Sequence, residues 1–477
     1  MNLIKKYTSI AFSALFMFSS IVYSPVGAAR GFSYKVTNEN KKTAILTKID
    51  TNESLELKDP IDGYSIIEIA DNASSFKRIK DSHWKRRLLT FAALNISLPL
   101  YLFVLDGLAE GGLREFNMLT TDISYSGPKI TSVVLPNCTR IGKEGLLFCD
   151  RLKSVDLPQC KILEQGSLRG CTSINKLNIP QCTRIDDFFD IVRKVKDYNY
   201  NILNRHPKYS YPHYEYPLFE ELNAPSCTEI TEKSFYEFKG LKKANLQSCQ
   251  KIGRGAFKGC KSLQTLDLPN CTEALSFYYG WGVYGAFEGC ENLESINIPN
   301  LISIGDGCFR NCKALKKIDL SKCKEIKKSC CENCVSLTTA LLDASTEIEN
   351  NAFKKCNSLE NVRMPNVVSI GEGAFYGTAL KRVDLPNCNS IGKAAFNDCK
   401  KLTIFNSPNL TSIGESAFEG CENLEEIELP NCTVLGKNAF KDCKNLKKIT
   451  IPKSCKLEGD CISYDLVIDG KLKVVKI

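Results

Sequence analysis

The sequence predicts a repeat solenoid: a right-handed superhelix of the α/β type, with a 22-residue period and a parallel β-sheet on its concave face. Three observations predict it. The position held by Cys138 recurs at 160, 182, 227, 249, 271, 301, 323, 345, 367, 388, 410, 432 and 454, nearly every step being 22 residues. Each unit reads close to LxxIxLPNCTxIGxxAFxxC, as in LPNCNSIGKAAFNDC at 385–399, and its L-x-x-I-x-L half alternates with the period of a short strand. The other half supplies a glycine that turns the chain and an Ala-Phe pair that packs a helical or irregular turn on the convex side. One such unit cannot bury its apolar face alone, whereas stacked neighbours can.

The chain of 477 residues opens with Lys5 and Lys6, the apolar run IAFSALFMFSSIVY and the small residues PVGAA around Ala28. These three regions make residues 1–29 a secretory signal peptide, because the apolar run is shorter than the ~18–20 residues of a membrane span. Residues 30–54 follow as an N-terminal β cap, and residues 55–130 read as degenerate early repeats. Within them LLTFAALNISLPLYLFVLDGL, at 88–108 behind Lys85, Arg86 and Arg87, imitates a transmembrane helix. Asn95, Ser97 and Pro99 argue against a span, and Ile96-Ser-Leu-Pro99 repeats the strand-end pattern, so this stretch belongs with the repeats. Residues 131–455 carry the regular units, interrupted at about 186–218 and 274–285. Residues 456–477 close the chain as a β-hairpin cap, with Asp469 and Gly470 between alternating apolar runs.

Twenty-four cysteines in an exported chain would ordinarily mean disulfides. Here most of them fall into two columns of the repeat, an early one in PNCT and a late one closing AFxxC. Leu301, Val367 and Leu410 stand in the early column and Phe238 in the late one, so both columns point inward and the thiols pack as small hydrophobes. The expected state is therefore a pair of mostly reduced ladders. If any pair is oxidised it should be Cys308 and Cys330, which hold the alanine position of adjacent units about 5 Å apart. Cys331-Glu-Asn-Cys334 has redox CxxC spacing, yet in register Cys330-Cys331 replaces Ala-Phe and Cys334 is the ordinary late cysteine, which places all three in the core.

These residues carry a family likeness. GFSYKVTNENKKTAILTKI at 31–49 and LELKDPIDGYSIIEIADNASSF at 55–76 resemble the entry segment of BspA-type leucine-rich-repeat proteins, and the later IGxxAFxxC units are similar to the repeats of that family. The resemblance covers nearly everything after the signal peptide, with departures at the irregular residues 77–130 and at the two insertions. It implies a secreted or surface-attached binding protein, often an adhesin for host matrix proteins or other cells. It implies no active site and no motif residues to carry over.

The concave strand face is where a solenoid offers outward side chains in parallel ladders. One column there holds Asp156, Asn178, Asn223, Asn245, Asp267, Asn297, Asp319, Asp384 and Asn406, beside Lys176, Lys243, Lys317 and Lys448 in the next column. Such a uniform column suits a repetitive or extended partner. The two insertions both leave between the C-T-x-I segment and the Ala-Phe turn, which puts them on one edge about three repeats, or ~15 Å, apart. The first carries Tyr198, Tyr200, Tyr209, Tyr211, Tyr214 and Tyr216, and the second carries Tyr278, Tyr279 and Trp281. Exposed loop aromatics of this kind anchor protein or sugar partners, or else fold back over apolar surface.

The remaining chemistry is sparse. The net charge of +9 drops to about +7 without Lys5 and Lys6, and no basic run tracks a phosphate backbone, which argues against a nucleic-acid partner. With only His83, His206 and His213 a nucleophile has few bases, and His206 and His213 lack cysteines at matching spacing for a metal. The sequence therefore points to no enzyme and no cofactor. It points to a protein or glycan ligand, on host matrix or another cell surface, with a passive structural stalk as the alternative.

Overall fold

Each turn of the solenoid contributes two short strands, and successive turns stack so that like residues pair. The computed structural model describes residues 26–29, 32–38, 40–49, 55–58, 65–69, 77–78, 125–126, 129–186, 219–279, 282–462 and 473–476. The first ladder joins Ile130–Val134, Ser154–Asp156, Lys176–Asn178, Glu221–Asn223, Lys243–Asn245, Thr265–Asp267 and Ser295–Asn297, all parallel and in register. It resumes through strands such as Lys317–Asp319, Arg382–Asp384 and Lys448–Ile451. The middle residue of each strand faces inward and its neighbours face solvent, as in Thr265–Asp267, because side chains alternate across a strand. The second ladder is made of two-residue strands from the C-T-x-I segment, such as Ser390–Ile391, Ser412–Ile413 and Val434–Leu435.

The N-terminal strands Val26–Ala29 and Thr43–Ile49 each pair antiparallel with Phe32–Asn38 between them, and Thr43–Ile49 then pairs in parallel with Ser65–Ile69. Leu55–Lys58 pairs directly with Ile130–Val134 in the first ladder, and Ser65–Ile69 pairs directly with Arg140–Ile141 in the second. Residues 55–69 are therefore one turn stacked on the turn of 130–141. Leu57 pairs with Val133 and Ile69 with Ile141, which makes these strands neighbours in both ladders, while most of the stretch expected to hold degenerate early repeats, 79–124, lies outside the described residues. The strand-like motif at 96–99 lies outside the described residues. At the other end Lys473–Lys476, expected as one arm of a hairpin, adds in parallel to Lys448–Ile451, while the Asp469-Gly470 turn lies outside the described residues.

Of the two expectations for the Ala-Phe segment, the irregular turn is the one realised: among the described residues none is helical. Two residues per turn hold a left-handed φ, +59° at Gly255 and +78° at Gly259 in one turn and +59° at Asn351 and +60° at Lys355 in another, which an α-helix cannot contain. The glycine after isoleucine has a different task. A Cβ on Gly414 would lie 2.6 Å from the backbone carbon of Gly392 in the turn below, so its absence permits close stacking.

Phenylalanines form a spine under these turns. The rings of Phe235, Phe257, Phe287 and Phe309 stack at centroid distances of 5.2, 5.6 and 5.3 Å, and Phe353, Phe375, Phe396, Phe418 and Phe440 continue at 5.3–5.4 Å. Cys331 interrupts the spine between Phe309 and Phe353, as its register requires. Every cysteine but Cys455 is buried. The last member of the early column is Cys455 rather than the residue at 454: its N–H donates to the Pro452 carbonyl as that of Cys432 donates to Leu429, one residue having been added to the turn.

The turns are also tied together by polar groups. Asn409 Nδ2 donates to the Pro386 carbonyl at 2.7 Å and Asn431 Nδ2 to the Pro408 carbonyl at 2.9 Å, so the asparagine of PNCT satisfies the proline carbonyl one turn back. The threonine does the same for the second ladder, with Thr433 Oγ1 donating to the Thr411 carbonyl at 2.9 Å. On the convex side Lys258, Glu288, Arg310, Glu332 and Lys354 occupy one column, because the N–H groups of Gly259, Gly289, Asn311 and Asn333 bond to the carbonyls of Glu288, Arg310, Glu332 and Lys354 in turn. Charge sign alternates at every step.

Candidate binding face

The first ladder sets the middle column of its outward face. Because the strands are in register, the residues after each buried middle position stand one above another. Their side chains form a directed chain of hydrogen bonds: Asn178 Nδ2 donates to Asp156 Oδ1 at 2.6 Å, Asn223 Nδ2 to Asn178 Oδ1 at 2.6 Å, and Asn245 Nδ2 to Asn223 Oδ1 at 2.8 Å. The chain stops at Asp267 and restarts where Asn297 Nδ2 donates to Asp267 Oδ1 at 2.7 Å. The structure thus brings Asp156, Asn178, Asn223, Asn245, Asp267 and Asn297 together.

Asp319 is not part of this chain, and instead accepts from the Ser321 N–H at 3.0 Å. Asp384 accepts from Arg382 and, at 3.4 Å, from Asn406 Nδ2; the Arg382 guanidinium bond is the larger cause holding its carboxyl below the usual range.

In the neighbouring column Lys176 lies 3.3 Å from Glu221 across one turn. Between Lys176 and Asp267 the face sinks into a groove of about 470 Å³, floored by Leu177, Leu222 and Ala244. Ala244 is the small member of a column that holds Leu177, Leu222 and Leu266 in adjoining turns, and sequence reading passed over it because alanine breaks no pattern.

The edge carrying the insertions starts at the ends of second-ladder strands. One leaves after Arg184–Ile185 and the other after Glu273–Ala274, and these strands are three steps apart in the ladder. The second insertion is a two-stranded antiparallel hairpin, Ser276–Tyr279 against Gly282–Gly285, which places Tyr278 opposite Val283 and Tyr279 opposite Gly282. Tyr198, Tyr200, Tyr209, Tyr211, Tyr214, Tyr216 and Trp281 lie outside the described residues, as do His206 and His213. Tyr284, which the sequence reading did not single out, returns onto the solenoid: Lys258 Nζ lies 4.0 Å from its ring centroid and the Tyr236 ring lies 6.1 Å away. Its signal in the sequence was only its position, two residues before Ala286.

Cys308 and Cys330 are free and buried in adjacent turns, where the Phe309 N–H donates to the Cys330 carbonyl. Cys331 Sγ lies 3.8 Å from Cys330 Sγ. Burial pushes the thiols of this core upward, Cys271 to about 11 and Cys290 to about 12. Among the described residues no group of His, Cys, Asp or Glu side chains is placed to hold a metal ion, and no helix is long and apolar enough to cross a membrane.

No curated protein matches the sequence. Solved structures with a similar course include a leucine-rich repeat protein from Bacteroides ovatus, 19% identical with 91% of this chain and 99% of that one covered at a TM-score of 0.48. A leucine rich cell surface protein from Faecalibacterium prausnitzii is 17% identical, with 95% and 94% covered at a TM-score of 0.29. These likenesses carry no functional argument. The profile of the BspA type leucine rich repeat region matches at residues 121–200, 209–279, 228–345, 283–403 and 346–465, well over half of the chain. By that match, and by the parallel ladders that its repeats build, the chain belongs to the BspA-type leucine-rich-repeat family.

Proposed function

We propose that this is an exported or surface-displayed, non-enzymatic binding protein, engaged in adhesion or host interaction, that meets a protein or glycan partner through the first-ladder face and the aromatic edge beside it. The observation that carries the reading is the directed side-chain chain from Asp156 to Asn245. It fixes a row of amides at strand spacing, so their ordering entropy is already lost before any ligand arrives. Aromatics of the two insertions, Tyr198 to Tyr216 and Tyr278 to Trp281, would add the apolar anchors that such a polar row lacks.

The test uses the chain without residues 1–29 on an array of matrix proteins and cell-surface glycans. Replacing 198–216 by a Gly-Ser link should leave the solenoid folded, since a loop outside the repeat register adds little to the stacked core. Binding should fall with that change and with Trp281→Ala, the latter by roughly 1–3 kcal/mol, and the two together should be less than additive. A chain that binds nothing on the array would leave the passive stalk as the better reading. Unchanged affinity in both variants would confine the ligand to the first-ladder face.

A further inference from the structure

The geometry points to an uncharged, extended glycan of β-linked hexose or N-acetylhexosamine units as the ligand of the groove between Asn178 and Asp267, its chain running along the solenoid axis. This rests on the reading of the first-ladder face as a ligand surface.

An amide offers two N–H groups and two carbonyl lone pairs. Asn223 spends one N–H on Asn178 at 2.6 Å and one lone pair on Asn245 at 2.8 Å, so each such rung keeps one donor and one acceptor side by side. A sugar hydroxyl or acetamido group, which also donates and accepts, is the complement of that pair.

The spacing selects among polymers. Rungs repeat at the strand separation of about 4.8 Å, so every second rung lies about 9.6 Å from the last, close to the two-unit repeat of an extended β-1,4-linked sugar chain, whose successive units turn opposite faces. An extended peptide returns a side chain to the same face only every ~6.7 Å, and loses register with the rungs within two turns. A β-1,4-linked glycan presents like groups to every second rung and stays matched over the four rungs of the groove, Asn178, Asn223, Asn245 and Asp267.

The row contains one break, and it falls at the groove. Asp267 is a carboxylate with no proton to give, and its oxygens take Asn297 Nδ2 at 2.7 Å and Gln247 Nε2 at 3.0 Å. Asn245 Oδ1 consequently receives no donor from the following turn. Two acceptors face each other across this one step, which calls for a hydroxyl donor from a ligand. Ala244, beside that step, lowers the floor where Leu222 and Leu266 stand in the turns on either side.

Charge favours a neutral chain. Around the groove Lys176 and Lys243 are balanced by Glu221 and Asp267, so neither a polyanion nor a polycation gains from the local field. No aromatic ring lines the groove, and affinity must accumulate over successive rungs.

Calorimetric titration of the chain without residues 1–29, using cello- and chito-oligosaccharides from dimer to hexamer, tests this. Affinity should rise with each added unit in at least one series. Ala244→Leu, which installs the residue found in adjoining turns and so preserves the fold, should weaken hexamer binding by about tenfold or more with an unchanged melting temperature. Asn245→Leu should do the same. Hexamers of both series that fail to bind at millimolar concentration, or that bind the parent and Ala244→Leu alike, overturn the inference. A matrix protein that binds the parent but not Ala244→Leu would overturn the glycan class and leave the binding face standing. If neither glycans nor proteins bind, the face itself is refuted.

Discussion

Cys421 Sγ donates to the carbonyl oxygen of Phe396 at 3.2 Å, reaching from one turn back to the turn before. The same bond recurs from Cys260 to Phe235, from Cys312 to Phe287 and from Cys443 to Phe418. The late cysteine is thus more than a small apolar filler, since it supplies a donor to a buried carbonyl. Thr378 stands in this column with its hydroxyl 3.2 Å from Cys399 Sγ, so a β-branched hydroxyl fits there. Cys421→Thr should stay within about 0.5 kcal/mol of the parent, and Cys421→Val should lose about 1 kcal/mol, because the Phe396 carbonyl keeps the Cys399 N–H but loses its second donor. Urea midpoints rank the variants, and the reverse order would mean that packing alone sets the column.

Alkaline pH should unfold the protein. Burial raises Cys271 and Cys388 from 9.0 to about 11, and Cys249 and Cys399 to about 12. Between these limits the folded state keeps protons that the unfolded chain releases, so their contribution is complete below pH 9.0 and is lost as pH rises through about 11 to 12. Circular dichroism should show a cooperative transition beginning above pH 9, with thiolate absorbance rising in the same step. Thiolate signal that precedes the loss of structure would refute the assignment of these cysteines to the core.

Restoring the consensus at the gap in the spine should stabilise the fold. Cys330→Ala with Cys331→Phe rebuilds the Ala-Phe pair between Phe309 and Phe353, and should add about 1–2 kcal/mol in thermal or urea melts. Loss of ligand binding in that variant would show instead that the thiols serve a function. In the parent, peptide mapping after mild oxidation should find Cys308 bridged to Cys330 before any other pair.

Glu288 is buried between Lys258, whose Nζ lies 2.8 Å from Oε2 without hydrogen-bond alignment, and Arg310, which bonds Oε1. Glu288→Ala removes the carboxylate shared by Lys258 and Arg310, while Lys258 keeps the Tyr284 ring, and should cost about 2 kcal/mol, read as a shift of the urea midpoint with the slope unchanged. A change below about 0.5 kcal/mol would class this cluster with exposed surface pairs.

The solenoid was legible in the sequence because the period and the alternation of L-x-x-I-x-L state where a strand lies and which side it buries. The second ladder was harder to see, since Ser412–Ile413 is only two residues long and its stability comes from pairing with Ser390–Ile391, a contact that exists only once turns are stacked. The neighbour of Leu55–Lys58 was hidden for a related reason: only strand pairing, not composition, shows that it meets Ile130–Val134 directly. On the first-ladder face the outward column could be read from Asp156 to Asn297. Its direction could not, because whether Asn245 donates upward or downward depends on side-chain torsions that no spacing encodes.

The alternating column of Lys258, Glu288, Arg310, Glu332 and Lys354 bears on how such a chain can change length. Near-identical repeats invite unequal recombination. Removing the turn that holds Arg310 would bring Glu288 against Glu332, whereas removing the turns of both Glu288 and Arg310 would set Lys258 against Glu332 and keep opposite signs in contact. Gain or loss of turns is therefore tolerated in twos, and a lineage of such proteins should differ in repeat number by even steps wherever this column runs.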